Sequence, residues 1–113
     1  MAKGKVVLVP FPFDDLTGTK VRPAVCLTDV IGEHRHIVLA FITSQDPPDA
    51  LPSDVVFDPT SSDFASTGLR RRSALRLHRL ITVADAIIAR QLGTLSKEQQ
   101  REVDEALRKV FDL

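Results

Sequence analysis

Five polar side chains stand where the apolar strand patterns of this 113-residue sequence begin, end or turn a wet face outward: Arg22, Thr43, Ser44, Arg76 and His78. Arg22 is the most constrained of them. In Thr17-Gly18-Thr19-Lys20-Val21-Arg22-Pro23-Ala24-Val25 the proline pushes Arg22 out of the helical region, and Pro23 has no N–H for a sheet ladder. A strand is therefore expected over Pro23 to Thr28, with the joint at a first or edge position. An arginine whose direction is fixed by such a joint is well placed to grip a phosphate through two parallel N–H···O bonds. The plainer reading pairs it with Asp14 or Asp15 at the surface. Thr43 and Ser44 lie at the mouth of the long apolar run His36 to Thr43, a common location for function. Arg76 and His78 share one face of the run Ser73 to Val83, opposite Leu75 and Leu77, so strand five is expected to carry a wet face bearing both.

Several chemistries are not supported. The lone Cys26 has no cysteine partner, and His34 and His36 flank a turn without a third nearby ligand, so no metal site is expected. Gly18 and Gly32 are isolated turn glycines rather than parts of a phosphate-cradling loop, so no nucleotide cofactor is expected. Fifteen basic and fifteen acidic side chains cancel, which argues against binding nucleic acid by bulk charge. The distribution is uneven. Arg70, Arg71, Arg72, Arg76 and Arg79 fall together in a stretch without acids, whereas Asp46, Asp49, Asp54, Asp58 and Asp63 occupy one without bases. Two readings stand: a local basic patch, or arginines whose stems cover apolar surface while their heads pair with those aspartates.

The elements that must carry these residues are short. A length of 113 residues, 43% hydrophobic and 27% charged, fits a single globular domain. No apolar run approaches the roughly 18 residues that span a bilayer, Met1 to Lys5 leads straight into a strand pattern, and Cys26 reads as a small buried hydrophobe. A cytoplasmic protein with no membrane contact is expected. Val6 to Val9 predicts strand one, ended or bent by Pro10 and Pro12, and Asp14 to Lys20 predicts a hairpin-type loop. His36 to Thr43, apolar on both faces, predicts a central third strand. Ser44 to Ala50 predicts a proline-rich loop, Asp54 to Phe57 strand four, and Pro59 to Phe64 a turn. A further short segment runs from Ile87 to Leu92. Ser96 with Gln99 three residues on is a capping box, opening a helix whose apolar stripe is Val103, Ala106, Leu107, Val110 and Phe111. Short strands followed by one amphipathic helix predict a small antiparallel barrel or strongly curved sheet.

The ordered segments carry a resemblance. Gly4 to Phe13, Lys20-Val21-Arg22-Pro23-Ala24-Val25, Phe41-Ile42-Thr43-Ser44-Gln45, Ser73-Ala74-Leu75-Arg76-Leu77 and Leu92-Gly93-Thr94-Leu95-Ser96 together make the chain resemble the MazF/PemK group of toxin endoribonucleases over nearly its whole length. The resemblance implies an SH3-like barrel with a C-terminal amphipathic helix, a homodimer, a cognate antitoxin, and metal-independent, cofactor-free cleavage of single-stranded RNA. In that chemistry the ribose 2′-OH attacks its own phosphate, leaving a 2′,3′-cyclic phosphate and a 5′-OH. It needs a base for the 2′-proton, cationic donors for the phosphate oxygens and an acid for the leaving oxygen. By resemblance Arg22 stabilises the phosphate and is a candidate proton donor, and Thr43 holds a phosphate oxygen. A plasmid-borne branch has Arg-x-Asp where this chain has Arg76-Leu77-His78, so histidine replaces the presumed base. Histidine, with an intrinsic pKa of about 6.5, can accept a proton near neutrality. Lys20, Ser44, Gln45 and Arg79 complete the expected site as substrate-binding residues. The glutamine and arginine usual after this motif are Arg79 and Ile81 here, which leaves the RNA sequence preference open. Two other functions fit such a barrel: a CcdB-like gyrase-binding poison, disfavoured because that group uses a tryptophan-containing tail and this chain has none, and a non-catalytic RNA-binding barrel.

Overall fold

In the computed structural model the elements run β1 (Lys5–Phe11), β2 (Lys20–Cys26), β3 (His36–Thr43), β4 (Asp54–Phe57), β5 (Ser73–Ala84), β6 (Arg90–Thr94) and α1 (Lys97–Phe111), with 3-10 turns at Ala65–Thr67 and Asp85–Ile87. The structure describes residues 2–11, 20–44 and 51–113. The expected hairpin loop before Lys20 and the proline-rich stretch after Ser44 therefore lie outside the described residues. The six strands form one antiparallel sheet in the order β4-β5-β3-β2-β1-β6. It curls into a half-barrel with α1 packed against β4 and β5, the mostly β fold expected.

Apolar residues on both faces divide the interior into two cores. One face collects Val6, Val25, Ala40, Ile42, Leu75 and Leu77 under Val103 and Ala106 of α1, while the other collects Val7, Val9, Ala24, Cys26, Leu39 and Phe41. This is why β3 is apolar throughout: it serves both layers. Burial pushes the Cys26 thiol up to about 11.

Two strands differ from the sequence reading. β2 begins at Lys20, not Pro23, because β1 continues through Pro10 to Phe11 and holds Val21 and Lys20 in register. Pro23 is consequently inside a strand, opposite Leu8. The ladder to β3 starts only at Ala24, so the proline sits where β2 has β1 as its sole ladder partner. β5 is the second departure. Ala40 faces Leu80 but Ile42 faces Leu75, so β5 carries three more residues than β3 across this step. An odd excess inverts side-chain parity. Leu75 and Leu77 point into the core beneath α1, whereas Ile81 and Val83 pack against the other.

α1 opens as expected. The Ser96 Oγ accepts from the Gln99 N–H at 3.0 Å, and the Gln99 Oε1 accepts from the Ser96 N–H at 2.8 Å. Ser96 also donates to Asp63 Oδ2 at 2.7 Å and Ser61 donates to Oδ1 at 2.6 Å. These two bonds, Ser61's first, hold the Asp63 carboxyl below its usual range. Phe111 leaves the expected stripe and is 55% exposed, because the helix ends at Asp112 with φ 56°. The 3-10 turn at Ala65–Thr67 lies against β6 at near backbone contact. A Cβ on Gly93 would stand 2.2 Å from the Ser66 carbonyl oxygen, and one on Gly68, at φ +75°, 2.1 Å from that of Leu92.

Candidate active site

Strand parity places three of the expected catalytic residues on one face. Arg22 pairs with Val9 and lies two residues from Ala24, Thr43 lies two residues from Phe41, and Val9, Ala24 and Phe41 belong to the same core. Thr43 faces Ala74 on β5, and Arg76 follows on that face two residues later. Arg22 and Thr43 lie just beyond the Ala24–Phe41 pair, at the end where the ladder between β2 and β3 stops. Arg22, Thr43 and Arg76 thus come from three adjacent strands, on one face at one end of the sheet.

Arg76 is anchored by Asp54, one of the aspartates that the sequence reading offered as partners for the arginine run. Asp54 of β4, its register partner, brings Oδ1 to 3.2 Å from Arg76 Nε, with the Asp54 side chain 1% exposed and that of Arg76 17%. Asp54 Oδ2 accepts from the Leu51 N–H at 2.9 Å. The expectation of a wet face bearing Arg76 is corrected here: the guanidinium is mostly buried because a carboxylate on the next strand pairs with it. Pairing through Nε leaves the outer Nη groups without a hydrogen bond among the described residues. The signal was present in the alignment of an acid run with a basic run, and Arg72 with Asp58 at 3.4 Å is its second instance. Asp58 is held below its usual carboxylate range chiefly by the Thr60 N–H, then by the Thr60 hydroxyl.

His78 is exposed, as expected of a wet face, but it stands at the bulge of β5, where three consecutive residues, His78, Arg79 and Leu80, are exposed. Neither His78 nor Arg79 makes a hydrogen bond or ion pair among the described residues. Ser44 is exposed at the end of β3, Lys20 opens β2 opposite Phe11, and Gln45 lies outside the described residues. The surroundings of Asp14 and Asp15, the plainer partners of Arg22, are likewise outside them.

Two of the grooves along the sheet are lined by described residues. The larger, of about 620 Å³, lies over Val7, Cys26 and Ile37 beside the Arg35–Asp85 ion pair of 2.7 Å. It is at the opposite strand ends from Arg22 and Thr43, so size does not mark the site. The other, about 520 Å³, adjoins Pro23, Ser44 and Ser73. Among the described residues no three His, Cys, Asp or Glu side chains gather as metal ligands, and no helix is long and apolar enough to cross a membrane.

Comparison with known proteins bears on this geometry. Residues 2–111 match the sequence profile of the family described as PemK-like, MazF-like toxin of type II toxin-antitoxin system. Among solved structures, the Mycobacterium tuberculosis toxin MazF-mt6 is similar at 24% identity and a TM-score of 0.71, over 96% of this chain and 97% of that one. MazF from Deinococcus radiodurans is similar at 17% identity and a TM-score of 0.70, over 100% and 97%. An endoribonuclease in complex with its cognate antitoxin, from a mycobacterial species, is similar at 16% identity and a TM-score of 0.70, over 100% and 96%. No curated protein sequence matches at a significant level.

Proposed function

We propose that this chain, which belongs to the PemK-like, MazF-like toxin family of type II toxin–antitoxin systems, is an endoribonuclease that cleaves single-stranded RNA without a metal. The observation that carries the reading is the common face of Arg22, Thr43 and Arg76 on adjacent strands, an arrangement suited to one phosphate. The ribose 2′-oxygen attacks the adjacent phosphorus, the bond from phosphorus to the 5′-oxygen breaks, and a 2′,3′-cyclic phosphate and a 5′-OH result. Arg22 and the outer Nη groups of Arg76 neutralise charge growing on the phosphate oxygens, and the Thr43 hydroxyl holds one of them. Arg22, placed beside the leaving 5′-oxygen, supplies its proton. His78 accepts the 2′-proton from the exposed bulge two residues beyond Arg76. Lys20, Ser44, Gln45 and Arg79 bind flanking nucleotides. The toxin acts in the cytoplasm as a homodimer and is neutralised by a cognate antitoxin, in keeping with the antitoxin complex solved for a structurally similar endoribonuclease.

The test incubates the protein with labelled single-stranded RNA in EDTA, beside a 2′-deoxy copy and the variants Arg22→Ala and His78→Ala. Cleavage of the ribose substrate alone, lost in Arg22→Ala, is expected; binding without cleavage would overturn the reading. Wild-type rates for His78→Ala across roughly pH 5 to 8 would remove histidine as the base. Sedimentation as a monomer at micromolar concentration would remove the homodimer.

A further inference from the structure

Four of the ten arginines are committed to carboxylates: Arg35 to Asp85, Arg72 to Asp58, Arg76 to Asp54, and Arg101 to Glu98 and Glu105. Arg70, Arg71 and Arg90 are not. They make no ion pair among the described residues, they are exposed, and all three line the 520 Å³ groove, whose lining contains no acid. Two come from the segment after the 3-10 turn and one from β6. Their convergence depends on the close approach of these elements at Gly68 and Gly93. The groove begins where the site ends. Its residues Pro23, Ser44 and Ser73 directly adjoin Arg22, Thr43 and Ala74, so it opens on the other face of the same strand ends.

We propose that this groove is a second phosphate-binding track, in which Arg70, Arg71 and Arg90 hold the backbone of the RNA outside the cleaved junction. The inference rests on the proposed RNA-cleaving function. A strand crossing the end of the sheet leaves the Arg22–Thr43 face and turns into the groove, where unpaired guanidiniums meet successive phosphates and the Ser44 and Ser73 hydroxyls lie beside them. Such contacts read charge and not base edges, so the track lengthens the footprint without narrowing the sequence choice. It also accounts for a nucleic-acid surface on a chain of zero net charge.

The test measures binding of fluorescein-labelled 2′-O-methyl oligouridylates, a tetramer and a hexadecamer, to the wild type and to a triple variant Arg70→Gln, Arg71→Gln, Arg90→Gln. Each phosphate contact on a single strand contributes about 0.7 to the slope of log affinity against log salt, so three contacts contribute about 2. Between about 50 and 200 mM salt the wild type should lose roughly twentyfold more affinity for the hexadecamer than the variant does, with a smaller difference on the tetramer. Equal slopes overturn the proposal. So does an equal flattening by Lys97→Gln, Arg108→Gln, Lys109→Gln on α1, which would reduce the effect to net charge. Loss of hexaglutamate binding with RNA binding intact would assign the groove to an acidic protein segment and also overturn it. Failure of the cleavage reading is distinguishable: all-ribose RNA would stay intact while the slope difference persisted.

Discussion

Replacing Arg76 by methionine separates its structural duty from its chemical one. The substitution keeps the apolar stem and removes the guanidinium, leaving the Asp54 carboxylate, 1% exposed, with the Leu51 N–H as its only hydrogen-bond donor among the described residues. Breaking a buried pair from one side costs about 3–5 kcal/mol. The partial exposure of Arg76 points to the lower end, about 3 kcal/mol. At about 2.1 cal/mol/K per residue the unfolding entropy of a chain this size is roughly 0.24 kcal/mol/K, so Tm should fall by about 12 °C. The double variant Asp54→Leu/Arg76→Met removes both charges and should recover to within about 1–2 kcal/mol of wild type, the residue being the lost Leu51 contact. Urea and thermal unfolding measure both. RNA cleavage, assayed well below either Tm, should stay down by about 10²- to 10³-fold in the double variant despite its recovered stability. A single variant within about 0.5 kcal/mol of wild type, or a double variant no better than the single, would refute the buried-pair reasoning. Recovery of cleavage with stability would refute a chemical role for Arg76.

Four further outcomes are expected. Ser96→Ala removes the helix cap and a donor to Asp63 and should cost about 1–2 kcal/mol, read as a lower urea midpoint with an unchanged m-value. Asp63, Asp58 and Asp29 have folded carboxyls below their ordinary range, Asp29 chiefly through the Lys3 and Ala2 N–H groups. Their stabilisation is therefore present above about pH 4 and lost as pH falls through the lower folded values. Urea midpoints should drop between about pH 5 and 3, and less steeply in Asp63→Asn. With its pKa pushed up to about 11, Cys26 at pH 8 is thiolate in about one molecule in a thousand, so a disulfide reagent should label native protein far more slowly than urea-unfolded protein. Gly93→Ala drives a methyl onto the Ser66 carbonyl and should destabilise by about 3 kcal/mol or more, whereas Gly32→Ala meets no neighbour within 4 Å and should cost only the strain of its φ of +73°.

The sequence was most informative where local chemistry acts alone. The Ser96–Gln99 capping box, the extent of β3 and β4, and the opposed faces of Leu75 and Arg76 follow from side-chain periods and hydrogen-bonding capacity, and all appear in the fold. The start of β2 was hidden because proline's influence is local, whereas the continuation of β1 past Pro10 comes from pairing across the sheet. Asp54 was legible as one of five possible arginine partners, but not as the partner of Arg76 in particular. Its partnership with Arg76 is a matter of register between β4 and β5, over 21 intervening positions of which no local pattern keeps account. Arg22 and Thr43 were legible as strand-end polar groups, but their common face depends on how three strands align.

The three extra residues of β5 make its bend tolerant in one respect and intolerant in another. Deleting a single residue between Leu77 and Leu80 would leave an even excess, so that one half of the strand would turn its apolar side chains to solvent. Yet the identities of His78 and Arg79, exposed and outside both cores, are unconstrained by packing. Packing therefore fixes the length of this segment and leaves its residue types to be set by what the exposed surface does. A histidine at position 78 is a residue such a place admits without cost to folding.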